Sequence, residues 1–341
     1  MMKVAVMGTG SWGTALAKVL NDSQQQVVLW GRNPETVAEI NHTHTNRAYL
    51  PGLILDSQIR ATTNLTEAVE QAEMILIVLP TRAIRGFAQD LLPILRTKQI
   101  QPLIVHASKG IEPLTYLRMS QVLDQVLGEY LEQPIAVLSG PSHAEEVARD
   151  DITVVTAASE SLQVAQKVQE TFMNKYFRVY SNQDITGVEL GGALKNIIAI
   201  GSGVLAGRQY GDNARAALIT RGLAEITRLG VAMGSDPLTF AGLSGVGDLI
   251  VTCTSQHSRN FRAGVLLAQG KKRETVDQEV HMVVEGFSTC QVAYELSNQL
   301  KIDMPITAGL YSLIYQGADV DQTVTALMER EGKQEASLDH F

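Results

Sequence analysis

The sequence predicts a two-part protein: an α/β domain built on a doubly wound, mostly parallel sheet, followed by an all-α domain. Three observations carry that reading. Short apolar runs alternate with helix-forming stretches over the first half of the chain. A glycine-rich turn joins the first apolar run to the first helix. From about Asp184 the texture changes, and helix-like segments follow one another with no convincing strand. The first domain is assigned residues 1–182, the second residues 183–330, and residues 331–341 read as a polar, frayed tail.

Residues 4–7 (Val-Ala-Val-Met) form the first predicted strand and residues 14–20 the first helix. Residues 27–30 read as a second strand, 74–79 as a buried central one and 103–106 as another. Residues 135–138, 152–155 and 177–180 continue the series, with helices at 65–71 and 119–130 between them. In the second half, helices are expected at 184–208, 214–233, 237–243, 258–269, 288–300, 307–316 and 321–329. No internal repeat and no low-complexity tract interrupts this order.

The turn after the first strand reads Gly8-Thr9-Gly10-Ser11-Trp12-Gly13. Strand, G-x-G-x-x-G, helix is the arrangement that seats a pyrophosphate on backbone N–H groups at a helix N-terminus. Gly8 allows the tight turn, Gly10 lets backbone approach phosphate, and Gly13 lets helix and strand pack closely. The first domain is therefore read as Rossmann-like and as a dinucleotide site, which points to redox chemistry. In such sheets ligands lie at the carboxyl ends of the strands, so three turns are singled out: Arg32, Ser108-Lys109-Gly110 and Ser139-Gly140-Pro141-Ser142. The second strand ends Trp30-Gly31-Arg32-Asn33, with no acid before Glu35 to hold a ribose 2′-OH. Arg32 can instead stack on adenine and pair with a 2′-phosphate, which favours NADP(H) and leaves NAD(H) open. Its bland alternative is a surface arginine at a strand end.

Composition limits the partners. The 341 residues are 45% hydrophobic and 19% charged, with a formal net charge of −8, which argues against a nucleic-acid or anionic-membrane surface. A cleft can still gather positive charge, so an anionic small substrate fits. Cys253 and Cys290, the two cysteines, suggest neither a disulfide framework nor a zinc ribbon, and no metal is expected. Structure begins at Lys3, leaving no room for a signal peptide, and no uninterrupted apolar run reaches bilayer length. The expectation is a cytoplasmic protein without membrane insertion, and the apolar helical domain suggests a homodimer.

Residues 191–201 form a helix that is apolar nearly all round, with Lys195 and Asn196 at its middle. A buried lysine needs a partner, a role or a route to water. Its alternative to a chemical role is a structural salt bridge. Downstream lie Gly245-Val246-Gly247-Asp248-Leu249, Thr252 and Ser258-Arg259-Asn260. The alternative for Asp248 is a turn or N-cap aspartate, and for Ser258 a helix cap. The seven histidines, His42, His44, His106, His143, His257, His281 and His340, show no metal-ligand spacing, and Cys253 reads as a core residue.

Taken in order, G-x-G-x-W-G, S-K-G, S-G-P-S-x-A-x-E-V-A, the buried K-N, G-x-G-D-L, S-R-N and V-x-E-G resemble the bacterial-type NAD(P)-dependent glycerol-3-phosphate dehydrogenases. The resemblance spans Lys3 to about Glu329. It implies reduction of dihydroxyacetone phosphate to sn-glycerol 3-phosphate, and the reverse, as the source of glycerol backbone for phospholipids. It also implies a second domain like the C-terminal domain of 6-phosphogluconate dehydrogenase. By resemblance Ser11, Trp12, Arg32, Ala144, Val283 and Glu285 contact the cofactor alongside Gly8, Gly10 and Gly13. Lys109, Gly140, Ser142, Lys195, Asp248, Thr252, Ser258, Arg259 and Asn260 surround the substrate. Lys195 is the implied proton donor or acceptor, with Lys109 and Asp248 as its catalytic neighbours. Lys109 and Arg259 can each also reach the cofactor. His143 stands where many family members carry an aromatic residue, which leaves pocket shape open there. The alternatives are a sister dehydrogenase of the β-hydroxyacid or 6-phosphogluconate type and a non-catalytic module that senses NAD(P)H.

Overall fold

A computed structural model describes residues 1–280, 283–332 and 334–335, so His281, His340 and most of the polar tail lie outside the described residues. The chain divides into two compact units. One comprises Met1–Ser108 and Met119–Ile185; the other comprises Lys109–Arg118 and the chain from Thr186 onward. The sequence boundary near residue 182 does not convey that residues 109–118, well inside the first half, fold with the helical unit.

The first unit holds eight strands: β1 (Lys3–Met7), β2 (Gln26–Trp30), β3 (Arg60–Thr62), β4 (Met74–Ile77), β5 (Leu103–His106), β6 (Ala136–Ser139), β7 (Thr153–Ser159) and β8 (Phe177–Asn182). Their order is β3-β2-β1-β4-β5-β6-β7-β8. All neighbours pair in parallel except β6 with β7. β4, β5 and β6 are buried at every position, which is why they read as unbroken apolar runs rather than alternating ones. β3 escaped notice because Arg-Ala-Thr is three residues long and carries no apolar run. The register Met7↔Trp30, Met7↔Ile77 and Ile77↔His106 brings the carboxyl ends of β1, β2, β4 and β5 to one edge. Helices Ser11–Asp22 and Leu162–Phe172 bury Leu16, Leu20, Val168 and Phe172 in the sheet's core. Each fully buried leucine contributes about 2 kcal/mol of transfer free energy. Pro34–Thr43, Ile84–Lys98 and Leu162–Phe172 are helices between strands for which the sequence reading named no range.

Every secondary-structure element among the second unit's described residues after 185 is a helix. Its central helix, Ile185–Gly207, is long and apolar enough to cross a membrane by length and composition, as is the stretch Pro237–Thr254. Neither is an uninterrupted apolar run: Glu189 and Lys195 interrupt the first and Asp248 the second. For the first, 83% of the apolar window is buried inside the protein, as in the core helix of a helical bundle. Around it lie Asp212–Ala232, Arg259–Ala268, Glu285–Leu300, Pro305–Tyr311 and Val320–Met328, each within a few residues of expectation. Asp248–Thr254 and Arg273–Val280 are additional helices. Ile197, Phe240, Phe287 and Cys290 meet in the core of this unit.

Candidate active site

At the carboxyl edge of the sheet, β1 runs into the glycine turn. Gly8 has φ +130°, and a Cβ there would sit 2.5 Å from the Val78 carbonyl oxygen, so only glycine fits. A Cβ on Gly10 would meet nothing within 4 Å, so this position faces open space. The helix Ser11–Asp22 starts at Gly10 without any side-chain cap, leaving the N–H groups of its first turn to an outside acceptor. Ser11 donates its hydroxyl to the Tyr49 carbonyl at 2.9 Å, and the Trp12 indole N–H is buried without a protein partner. Arg32 is exposed, its guanidinium 5.9 Å from the Trp30 ring. Asn33 caps the next helix by accepting from Glu35 N at 2.8 Å, so no carboxylate occupies the end of β2. Past β6, Gly140 has φ +149°, Ser142 donates to its carbonyl at 2.9 Å, and Ala144 begins a short helix packed on Ser11–Asp22.

In the helical unit, Lys195, Asp248, Thr252 and Lys109 converge. Gly191 permits this: a Cβ there would lie 2.5 Å from the Ser244 carbonyl oxygen, so the turn Leu243–Gly247 approaches the central helix one turn before Lys195. Asp248 then opens the helix Asp248–Thr254 beside it, with Thr252 one turn on. Lys195 donates to Asp248 Oδ1 and, at 2.8 Å, to Thr252 Oγ1, which uses two of its three ammonium hydrogens. Thr252 in turn donates to the Asp248 carbonyl at 2.6 Å. Lys109 Nζ donates to Asp248 Oδ2 at 2.7 Å. One carboxylate thus bridges two ammonium groups, with Asp248 1% and Lys195 6% exposed.

The electrostatics follow from burial. Desolvation drives the Lys195 ammonium down from the ordinary lysine value; Asp248 opposes the fall and Lys109 adds to it, leaving Lys195 at about 7. Burial alone would raise Asp248, yet the two ammonium groups hold it below the usual carboxylate value. Burial lifts the neighbouring Cys253 thiol to about 12, so it is an inert core thiol.

The S-R-N segment has a different character from its neighbours. Ser258 caps Arg259–Ala268 by accepting from Phe261 N at 3.2 Å. Arg259 donates to the Val283 carbonyl at 3.3 Å. Asn260 is buried, donating to Asn196 Oδ1 at 2.9 Å and accepting from Gly286 N at 3.0 Å. It ties the residue after Lys195 to the first turn of the helix Glu285–Leu300, whose first residue is Glu285. Sequence reasoning missed a buried ion pair between Arg118 and Glu189. A lone glutamate in an apolar helix was the signal available, the same one that drew attention to Lys195 in that helix.

Comparison with known proteins bears on this arrangement. Residues 3–165 match the family model described as NAD-dependent glycerol-3-phosphate dehydrogenase N-terminus, and residues 184–325 match the one described as its C-terminus. A protein of Enterococcus faecalis named glycerol-3-phosphate dehydrogenase (NAD(P)+) is 56% identical over 333 residues, covering 98% of this chain and 97% of that one. One of the same name from Ligilactobacillus salivarius is 54% identical, covering 98% of each. The crystal structure of glycerol-3-phosphate dehydrogenase from Coxiella burnetii superposes with a TM-score of 0.90 at 36% identity, over 96% of this chain and 99% of that one.

Proposed function

The chain belongs to the NAD-dependent glycerol-3-phosphate dehydrogenase family, and we propose that it interconverts dihydroxyacetone phosphate and sn-glycerol 3-phosphate with Lys195 as the proton-transfer group. The observation that supports this role is the buried Lys195–Asp248–Lys109 cluster. A cluster of this kind has a use in turnover and none in a module that only senses nucleotide.

The glycine turn suits a nicotinamide dinucleotide, since Gly10 faces open space and the helix behind it offers uncapped N–H groups to a pyrophosphate. When bound, that cofactor supplies the hydride. The protein's own residues do the rest. The ketone oxygen gains negative charge as it is reduced, and a cation at that point both stabilises and protonates it. A lysine titrating at about 7 gives up its proton readily at neutral pH, where an ordinary lysine would hold it. Thr252 and Asp248 fix the direction of the Lys195 ammonium. Lys109 keeps Asp248 from matching Lys195 as a lone partner. In the reverse direction the neutral amine takes the hydroxyl proton.

Arg259, at the N-terminus of its helix, is assigned to the substrate's phosphate or a cofactor phosphate, with Ser258 and Asn260 shaping that end of the helix. Gly140, Ser142 and Ala144 are assigned to the ligand edge of the sheet, and Val283 and Glu285 to cofactor contact. Arg32, with no acid at the end of β2, supports a preference for NADP(H) over NAD(H). A homodimer without membrane insertion, acting in the cytoplasm to supply phospholipid synthesis, completes the reading.

The deciding experiment follows nicotinamide absorbance with dihydroxyacetone phosphate and either NADPH or NADH, for wild type and Lys195→Met. Methionine keeps the length and removes the charge and the proton. Turnover in wild type, reduced by about 10²-fold or more in a folded variant that still binds NADPH, is expected. Full activity in Lys195→Met would remove the lysine from the mechanism.

A further inference from the structure

Lys109 reaches Asp248 from the segment Lys109–Arg118, which follows β5 in sequence and folds with the helical unit. A four-carbon side chain places its ammonium only as well as the backbone beneath it is held. Several contacts hold this backbone. Ile111 is buried in the helical core, and its bridge to Arg118 closes the segment into a small hairpin. Within it Glu112 N donates to the Leu117 carbonyl at 2.9 Å. Arg118 pairs with Glu189 on Ile185–Gly207, both of them buried. Tyr116 donates its hydroxyl to Glu295 of Glu285–Leu300 at 2.9 Å. The tip is closed by its own bonds, Tyr116 N to the Glu112 carbonyl at 3.0 Å and Thr115 Oγ1 to the Glu112 carboxylate at 2.6 Å, while Leu114 is 92% exposed, so what seats the hairpin on the unit comes from Ile111, Arg118 and Tyr116.

A buried ion pair contributes little net stability compared with apolar residues of the same volume. What a guanidinium and a carboxylate supply is directional geometry. Glu189 and Lys195 stand six residues apart on one rigid helix, a rise of about 9 Å. The helix that presents the proton-transfer lysine therefore also anchors the hairpin that brings in the second lysine.

We propose that the Arg118–Glu189 pair, seconded by Tyr116–Glu295, positions Lys109 against the Lys195–Asp248 pair, making Arg118 and Glu189 positioning residues for proton transfer. This rests on the reading of Lys195 given above. The groups facing Lys195 are the Asp248 carboxylate, the Lys109 ammonium, the Thr252 hydroxyl and the Cys253 thiol. Of these, Lys109 alone is carried by the hairpin. Withdrawing it removes a repelling cation and leaves Asp248 to Lys195 alone. Both changes bind the Lys195 proton more tightly.

The test is the pH profile of dihydroxyacetone phosphate reduction by full-length protein, for wild type, Lys109→Met, Glu189→Gln and the double variant. Reduction uses protonated Lys195, so the rate falls as pH rises through its pKa. Lys109→Met is expected to move that fall upward by about one pH unit, the scale of one nearby charge. Glu189→Gln is expected to move it the same way, and the double variant to go no further than Lys109→Met. A fall that stays at the wild-type pH in Glu189→Gln, or a shift that adds in full to that of Lys109→Met, overturns the proposal. Should Glu189→Gln fail to fold, Tyr116→Phe decides: a smaller upward shift, absorbed in the Lys109→Met background, supports it, and no shift overturns it. Lys195→Met separates the two readings. If it keeps the wild-type rate and profile, the role of Lys195 fails and this inference with it. If it is inactive while the anchor variants leave the profile unmoved, the anchor alone fails.

Discussion

Replacing Asp248 with asparagine tests the electrostatic core of the site, because it removes one charge and little volume. Asp248 contacts both Lys195 and Lys109 and is 1% exposed, so the loss is felt at short range and with little solvent screening. Two unit charges in contact at an effective dielectric near 20 interact by about 4 kcal/mol. That corresponds to about three pKa units, and relaxation of the site reduces it to about two. Burial and Lys109 then act on Lys195 unopposed, taking it from about 7 to roughly 5. At pH 7 the protonated fraction falls from about one half to about one in a hundred, so reduction slows about 50-fold and recovers as pH is lowered. Oxidation of sn-glycerol 3-phosphate uses the neutral amine and is slowed far less at the same pH. The assay is steady-state rate in both directions from pH 5 to 9, with circular dichroism to establish that the variant is folded. A loss equal in both directions and flat with pH, or a profile that moves upward, would refute this account of Asp248.

Other perturbations follow from the same structure. Glu225 is buried and accepts from Ile306 N at 2.6 Å, Thr307 N at 3.1 Å and Thr307 Oγ1 at 3.0 Å. Burial lifts its carboxyl from 4.5 to about 7 against those donors. The folded state then binds this proton more tightly than the unfolded state, and the group's contribution to stability falls as pH rises from about 4.5 to about 7. Glu225→Gln should abolish that slope in denaturant titrations at pH 5 and pH 8, and cost about 1–3 kcal/mol; an unchanged slope counts against the assignment. Gly8→Ala forces a side chain into φ +130° beside the Val78 carbonyl and should destabilise the fold by about 1–3 kcal/mol. Gly10→Ala meets open space, so its melting temperature should match wild type while NADPH affinity drops at least about tenfold; equal affinity would dissociate the glycine turn from cofactor binding. Arg32→Asp should lower kcat/KM for NADPH at least about tenfold and spare NADH. A uniform loss with both cofactors would show that Arg32 does not read the 2′-phosphate.

How far the site was legible depended on how local each feature is. The glycine turn, the strand ends and the apolar helix bearing Lys195 are contiguous in the chain, so their places in the fold could be read residue by residue. Arg32 could be placed for the same reason: it stands two residues past the end of β2 and is exposed there. The roles within the S-R-N segment were harder: Asn260 is engaged by Asn196 and Gly286, residues far away in sequence. Ser258 turns out to spend its hydroxyl on its own helix. β3 is too short to leave a pattern, and parallel or antiparallel pairing of β7 leaves none at all, because a strand buried on both faces looks alike in either direction.

By itself the sequence determined the alternation of strands and helices, the glycine turn and the identity of the buried lysine. All of these arise from backbone propensity and hydrophobic periodicity within a few residues. Only the tertiary structure decided that residues 109–118 join the helical unit, that Arg118 meets Glu189, and that one carboxylate bridges Lys109 and Lys195. Charge pairing acts through space, and the desolvation that brings Lys195 to about 7 exists only once the helices have closed around it.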